Sequence, residues 1–408
     1  MNNIKNVVII SDSAEINGGA AKIAIQSALC LAKENIKIYF FCGKPPKDTK
    51  LIDSGINIIS TNQCDILHEH NRIKAIIQGL WNFKAQRELT RLLNSLNPDN
   101  TIIHIHVWCK ILSHSIFKSI SDHNFKSVIT LHDYFTVCPN GGLYNYKQAH
   151  ICRLKPGQQT CLYTNCDSRN YLQKIYRYLR LKIQNYYLNR LESSAIVISK
   201  FSEKILNEAD GLSKYARVYY IPNIVDSFSC NKSIIANFNK YLFIGRLEED
   251  KGIRLFCETL SKLGLKGIAI GTGYLFNEMK KKYSNIEFVG WVKTSEIPKY
   301  VSECKALIVC SLWYETFGLV TLEMQSLGIP SIVPNNHASS DFIQDGINGY
   351  IYESGSIESL SEAIKKMERN EMNKLHYNTL MHYDSSLYSE NMYKMKLLNV
   401  YNQILYGK

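Results

Sequence analysis

Two glutamates, Glu315 and Glu323, stand eight residues apart in the stretch WYETFGLVTLEMQ (313–325). Two carboxylates at that spacing suit three kinds of chemistry: an acid and a nucleophile across one glycosidic bond, two contacts to one ligand, or ordinary helix surface. The flanking segments separate these. ALIVCSL (306–312) reads as a buried strand and YETFG as the loop at its carboxyl end. LVTLEMQSLG (319–328) has helical character and is closed by Gly328 and Pro330. Glu315 therefore belongs to the loop and Glu323 to the helix, a turn or so in. Backbone N–H groups near Phe317, Gly318, Leu319 and Val320 open that helix, and helix starts favour anions. Glu323 is flanked by Leu322 and Met324 on a largely apolar helix, where a charge needs a partner.

Other positions carry chemistry of the same kind. In YLFIGRLEEDKG (241–252), Gly245 ends a strand, Arg246 follows directly, and Lys251 and Gly252 come five and six residues later. Arg offers a fork to phosphate oxygens and Lys a mobile point charge. The alternative is a solvated loop balanced by Glu248, Glu249 and Asp250. AIGTG (269–273) puts Gly271 in a turn after a strand but lacks the dinucleotide fingerprint. FVGW (288–291) ends a strand in Gly290 and Trp291, an aromatic that could cover a nucleobase or join the core. In the first half, Gly18 and Gly19 of NGG follow the first strand and open a helix, which suits an anion or a sugar close to backbone. TLHDYF (130–135) puts His132 and Asp133 at a strand's carboxyl end, where a histidine is either catalytic or structural.

The elements that must position these residues alternate strand and helix. NVVIISD (6–12), a helical stretch over 18–35 and IKIYFFCG (36–43) form a βαβ unit of the buried parallel kind. Further strands are expected at 102–108, 127–133, 194–199 and 218–223. After residue 224 the texture turns polar and irregular (VDSFSCNKSIIANFNK), as in a linker. A second alternation starts at YLFIGRL and runs through 267–273, 286–291, 306–312, 330–334 and 349–352. The fold class is thus α/β: two doubly wound, Rossmann-like domains facing across a cleft, with ligands at the carboxyl ends of the strands. Their expected bounds are 1–225 and 226–387, with a C-terminal helix (388–408) crossing back to the first domain.

The totals agree. With 408 residues, 45% hydrophobic and 21% charged, the chain suits two globular cores. No apolar run reaches the roughly 18 residues of a membrane span, and the N-terminus lacks a secretory pattern, so a cytoplasmic location is expected. Net charge is +12, unevenly spread: residues 1–230 hold 28 Lys and Arg against 17 Asp and Glu. A basic half beside a neutral half implies an anionic partner for the first domain.

In order and spacing, the GG loop, TLHD, GRL-x3-KG, FVGW and E-x7-E together resemble the family 4 glycosyltransferases of the GT-B fold, over nearly the whole chain. The resemblance implies retaining transfer of a sugar from a nucleotide-sugar donor to a glycan or lipid-linked glycan acceptor in surface polysaccharide biosynthesis. It implies that Arg246 and Lys251 hold the donor diphosphate, bordered by Gly18 and Gly19 and by the amides of Gly318, Leu319 and Val320. Glu323 would hold the ribose. Glu315, with backbone at Phe317 and Gly318, would hold the transferred sugar, and His132 would meet the sugar or the developing charge. Gly271, Gly290 and Trp291 would lie near the base. No D-x-D occurs in the chain, so no carboxylate pair stands ready for a metal–diphosphate bridge, and a metal-independent enzyme with no catalytic cofactor is expected. A GT-B-fold nucleotide-sugar epimerase and a non-catalytic nucleotide-binding scaffold are the rival functions.

Two features stand outside that pattern. Cys138, Cys152, Cys161 and Cys166 lie in a glycine- and proline-bearing insert (138–170), spaced C-x13-C-x8-C-x4-C. They are either a structural zinc site or free thiols. The stretch 171–192 has helical spacing with Lys174, Arg177, Arg180, Lys182 and Arg190 among tyrosines and leucines. It reads as a peripheral contact to an anionic membrane on its inner face, or as a solvated basic helix face. No nucleic-acid module is present in the sequence, so nucleic acid is not an expected partner.

Overall fold

A computed structural model of the protein describes residues 4–228 and 238–407. Most of the expected linker segment lies outside the described residues.

The strands, in chain order, are β1 (Asn6–Ser13), β2 (Lys37–Lys44), β3 (Asn57–Ser60), β4 (Thr101–Ile105) and β5 (Lys126–Thr130). A short antiparallel hairpin, β6 (Tyr144–Asn145) and β7 (His150–Ile151), follows. Then come β8 (Ser194–Val197), β9 (Val218–Tyr220), β10 (Lys240–Ile244), β11 (Lys266–Ile270), β12 (Ile286–Gly290), β13 (Cys304–Ile308), β14 (Ser331–Pro334) and β15 (Gly349–Tyr352). The chain divides into two compact units. The first comprises Met1–Leu143, Arg153–Ile224 and Leu387–Lys408, and the second Tyr144–Cys152 and Val225–Ser386.

The first unit is built on a seven-stranded sheet in the order β3-β2-β1-β4-β5-β8-β9, parallel throughout. Val7 to Ile10 of β1 are fully buried, which is why the strand reads as continuous apolar residues rather than an alternation. Successive strands run outward in both directions from β1 and β4. The chain therefore reverses direction across the sheet there, and the loops after β1, β4 and β5 open beside that switch point. The helix Glu390–Tyr406 packs in this unit: Tyr393 OH lies 2.8 Å from Ser27 Oγ, and the fully buried Tyr401 places its OH 2.6 Å from His104 Nδ1.

The second unit has a six-stranded parallel sheet in the order β12-β11-β10-β13-β14-β15, with its own switch between β10 and β13. One face is sealed by Phe256, Leu260, Met279, Leu360 and Ile364. The other is sealed by Val301, Met324 and Ile329. Among the described residues, no helix is long and apolar enough to cross a membrane.

Candidate active site

The loops that follow β10 and β13 are tied together by backbone: Leu312 N–H donates to Asp250 O at 2.9 Å. That tie brings Lys251 to Glu315. Lys251 Nζ donates to Glu315 Oε1 and stands 5.1 Å above the Trp313 ring. Ser311 Oγ donates to the same carboxylate oxygen at 2.8 Å. On the other oxygen, His337 Nε2 lies at 3.6 Å. His337 Nδ1 accepts the Ser339 N–H at 2.9 Å, so the neutral ring carries its proton on Nε2, facing Glu315. Burial alone would raise the Glu315 pKa, but the Lys251 ammonium and the His337 ring hold it well below the usual carboxylate range. Glu315 is therefore a fixed anion at neutral pH, not a proton donor.

Arg246 follows β10 directly. Its guanidinium donates to Glu248 and, at 3.2 Å, to Asp250, with 54% of the side chain exposed. Burial works against its charge, and Asp250, Glu248 and Glu315 outweigh that. The balancing acids foreseen from the sequence are thus present, yet both cations still sit at the strand ends beside Glu315. An incoming diphosphate would exchange one set of oxygens for another around groups that are already in place.

The remaining expected positions of this unit fall on the same carboxyl edge. Gly271 has φ +136, and its N–H donates to Gly290 O at 2.7 Å. A Cβ on Gly271 would stand 1.9 Å from Gly245 O, so glycine lets the β10 and β11 ends close up. Gly290 opens into free space and Trp291 is 71% exposed, so the tryptophan is not a core residue. Phe317 is buried with its ring against Phe342, leaving only its backbone to meet a ligand. Gly318 precedes the helix Leu319–Gln325, which is seven residues long. Leu319 and Val320 open it, but so short a helix adds little dipole, and the anion-binding case rests on Arg246 and Lys251. Glu323 is buried to 7% exposure. Burial pushes the Tyr383 hydroxyl up, and the Glu323 charge adds to that. Tyr383 OH lies 3.1 Å from Ser227 Oγ. Ser311, Trp313, His337 and Tyr383 were not foreseen. His337 stands three residues beyond β14, and its strand-end position is the signal that could have found it.

In the first unit, Gly18 caps the helix Gly19–Leu31, and a Cβ at Gly18 would meet no atom within 4 Å, leaving open space above the backbone. His132 follows β5 and stacks on His106, which follows β4: His106 Nδ1 and His132 Nε2 are 2.9 Å apart. His104 lies 4.0 Å from the His106 ring centre. Burial lowers His132 and His104 to about 3, so both are neutral at pH 7. His132 is therefore no cation in the free protein. Next to it, burial raises Asp133 to about 6, against the Phe135 N–H and Lys110, which lower it. A carboxyl whose folded pKa lies above its unfolded value favours the fold at low pH and loses that contribution as pH rises from about 4 through about 6. Asp133→Asn keeps the oxygen that accepts the Phe135 N–H at 2.9 Å. It should raise the melting temperature at pH 7.5 and leave it unchanged near pH 4. An equal shift at both pH values in calorimetry would contradict this.

Cys161 Sγ and Cys166 Sγ lie 3.3 Å and 3.1 Å from the buried Lys174 Nζ, which occupies the space a cation between those thiols would need. Cys138 Sγ instead faces Asn140 Oδ1 at 3.0 Å. Among the described residues no group of three or more His, Cys, Asp or Glu is placed to hold a metal. The four cysteines stand as free thiols in this structure. In the helix Tyr171–Leu188, Lys174 is buried, Arg177 pairs with the fully buried Asp167 at 3.2 Å, and Arg180 donates to Cys109 O. The solvated basic face is thereby reduced to Lys182, with Arg190 beyond the helix end lying 3.5 Å above the Tyr186 ring. Leu172 (76%), Leu179 (51%) and Tyr186 (54%) are exposed instead.

Two parallel Rossmann-like sheets, with cations and carboxylates gathered at the strand ends of the second, define the GT-B class of glycosyltransferases. The chain has the fold of that class, and its residues 229–380 match the family model "Glycosyl transferases group 1". Among curated proteins it is 26% identical over 255 residues to an uncharacterised 41.2 kDa protein of the Klebsiella pneumoniae cps region, covering 58% of this chain and 67% of that one. It is 26% identical over 145 residues to the Escherichia coli UDP-Gal:alpha-D-GlcNAc-diphosphoundecaprenol alpha-1,3-galactosyltransferase, covering 32% of this chain and 37% of that one. Across such relatives the match spans from about a third to two thirds of their length. Of solved structures, HepE of Anabaena in complex with UDP and glucose superposes with a TM-score of 0.65 at 14% identity, covering 98% of this chain and 99% of that one.

Proposed function

We propose that the protein is a retaining, metal-independent glycosyltransferase that moves a sugar from a UDP-linked donor to a lipid-linked glycan in surface polysaccharide assembly. The observation that carries this is the meeting of Arg246, Lys251 and Glu315 at the carboxyl ends of β10 and β13. As the glycosidic bond breaks, negative charge grows on the leaving diphosphate. Cations fixed beforehand stabilise that charge most in the transition state, where it raises rate rather than mere affinity. Glu315 aligns Lys251 and accepts hydroxyls of the transferred sugar, and Glu323 accepts those of the ribose. His132, Gly18 and Gly19 take the roles the family resemblance gives them. The uridine moiety and the lipid-linked acceptor are inferred from the UDP of the HepE complex and from the diphosphoundecaprenol substrate of the Escherichia coli relative.

A panel of UDP-, GDP- and ADP-sugars, with and without a polyprenyl-diphosphate glycan, tests the proposal. Transfer from a UDP-sugar with the anomeric configuration kept, read by NMR of the product, is expected. Nucleotide release without acceptor would instead indicate an epimerase. EDTA should leave turnover unchanged, and its loss with recovery on adding Mn²⁺ would overturn metal independence.

Attachment to an anionic membrane belongs to the same proposal. The support is apolar more than basic. Leu172, Leu179 and Tyr186 fall seven residues apart on one stripe of their helix, and Ile73, Ile76 and Ile77 form a stripe on the helix Arg72–Leu80. The two helices touch where Tyr176 OH donates to Ile76 O at 3.1 Å. Exposed stripes of this kind beside Arg72, Lys74 and Lys182 suit the headgroup–acyl boundary. Co-sedimentation with anionic vesicles should fall only in part in 0.5 M salt and be abolished by Ile77→Asp with Leu179→Asp. Complete loss in salt would leave a purely electrostatic contact.

A further inference from the structure

The carboxylate of Glu315 is held on both of its oxygens. Lys251 Nζ and Ser311 Oγ both donate to Oε1, and His337 Nε2 faces Oε2 at 3.6 Å. A carboxylate offers about four acceptor positions, two on each oxygen. Oε1 is therefore filled, and with His337 on Oε2 a single position remains there.

The His337 ring is fixed without help from the Glu315 side chain. It is buried to 2% exposure on the loop after β14. Its Nδ1 accepts the Ser339 N–H at 2.9 Å, and Ser339 Oγ lies 2.7 Å from the Oγ1 of the buried Thr321. Ser340 N–H and Oγ donate to His337 O at 2.9 Å and 2.8 Å. Ala338 N–H donates to Glu315 O at 3.2 Å, so backbone ties the loop of the histidine to that of the glutamate. Gly318 lets the same loop close in, since a Cβ there would stand 2.2 Å from Ser339 Oγ.

We propose that His337 is a positioning residue: its Nε2–H holds Glu315 Oε2 so that the carboxylate has one acceptor position left and takes a single hydroxyl of the transferred sugar. This rests on the reading of Glu315 as a contact of that sugar, and narrows it. Nδ1 is occupied as an acceptor, so the neutral ring has its one N–H on Nε2. The 3.6 Å spacing is long for a hydrogen bond. His337 therefore acts through the attraction of its N–H dipole for the carboxylate, which sets the rotation of Oε2 about the last, broad torsion of the side chain. Burial would raise the Glu315 pKa, and Lys251 and then His337 oppose it, which agrees with an N–H aimed at the anion. Without that N–H, Oε2 is free to turn and a second hydroxyl can pair with it.

Two substitutions separate this role from a structural one. His337→Asn keeps an acceptor where Nδ1 was, so the Ser339 N–H stays paired, but it removes the N–H that faces Glu315. His337→Gln does the reverse: it places an N–H near the position of Nε2 and leaves the Ser339 N–H unmet. The Glu315 carboxyl is followed by ¹³C NMR in the full chain labelled at its glutamate carboxyls, with the signal assigned through Glu315→Gln. Its pKa should rise in His337→Asn and keep the wild-type position in His337→Gln. The opposite order, or no change in either variant, would overturn the positioning role. Binding is measured by calorimetry with UDP and with the tightest of UDP-glucose, UDP-galactose and UDP-N-acetylglucosamine. UDP affinity should be the same in the wild type and both variants, whereas the sugar-bearing donor should lose roughly 10-fold in His337→Asn and recover in His337→Gln. Among mono-deoxy forms of that donor, one alone should show a deficit that disappears in Glu315→Ala, and two such deficits would overturn the single contact. If the Glu315 pKa moves as expected and the donor affinities do not, the orienting of Glu315 by His337 stands and the reading of Glu315 as a sugar contact is what fails.

Discussion

Lys251→Ala should lower turnover by about 10²–10³-fold, and Arg246→Ala should weaken binding of every nucleotide-sugar tried. The two effects differ because the two cations are held differently. Arg246 is half exposed and shared between Glu248 and Asp250. Its guanidinium can swing to a diphosphate and return, so its loss is felt mainly as affinity. Lys251 is 18% exposed and locked against Glu315, Ser311's partner, over the Trp313 ring. Its removal takes away a preorganised charge and also releases Glu315. With Lys251 gone, burial acts on Glu315 without the opposing ammonium, so its pKa rises from far below the carboxylate range. The residual activity of Lys251→Ala should therefore begin to fall at a higher pH than that of the wild type as the solution is acidified, because Glu315 takes up its proton more readily. Rate profiles of the two proteins decide the matter. Parallel profiles with a large rate loss would mean that Lys251 acts on the donor alone, and unchanged binding in both variants would remove this site from the donor altogether. Lys251→Arg should restore the charge but little of the rate, because the longer planar group cannot stand in the same contact with Glu315 and Trp313.

The second sheet was legible because each of its strands is a short apolar run ended by glycine or a polar loop. GRL-x3-KG and E-x7-E then fell at strand ends where the topology places ligands. The loop–helix break between Glu315 and Glu323 was visible in the change of periodicity alone. What stayed hidden depended on contacts between segments far apart in sequence. His337 lies 22 positions beyond Glu315 and meets it only because β14 pairs with β13. His106 looked like one more residue of a strand, and its contact with His132 arises from the parallel register of β4 and β5. The basic helix misled for a related reason. Sequence gives the charges on a helix but not which of them turn inward, and Asp167, Cys109 O and two thiols draw in three of its cations. Leu172, Leu179 and Tyr186 face outward in their place.

Gly252→Ala should destabilise the second unit and disable the site together. Gly252 has φ +69, where an alanine costs about 1–2 kcal/mol of backbone strain. A Cβ there would also stand 2.0 Å from Cys310 O, a contact no side-chain rotation relieves. Cys310 is 1% exposed and lies two residues beyond β13, so the carbonyl cannot withdraw without moving the strand end. The loop carrying Lys251 must move instead, against the Leu312 N–H bond to Asp250 O that holds it. Strain and clash together should cost roughly 3 kcal/mol, which lowers the melting temperature of a unit this size by about 6–12 °C. Gly264→Ala separates the two causes. Gly264 has a matching φ of +66, but its Cβ would meet nothing within 4 Å, so only backbone strain remains and a smaller fall of about 2–8 °C is expected. Calorimetry and donor titration on both variants complete the comparison. Gly252→Ala should lose donor affinity even well below its melting temperature, because Lys251 and Glu315 no longer meet, whereas Gly264→Ala should bind as the wild type does. Equal melting temperatures for the two variants would show that the Cys310 carbonyl yields and that the close approach of the two loops does not hold the site.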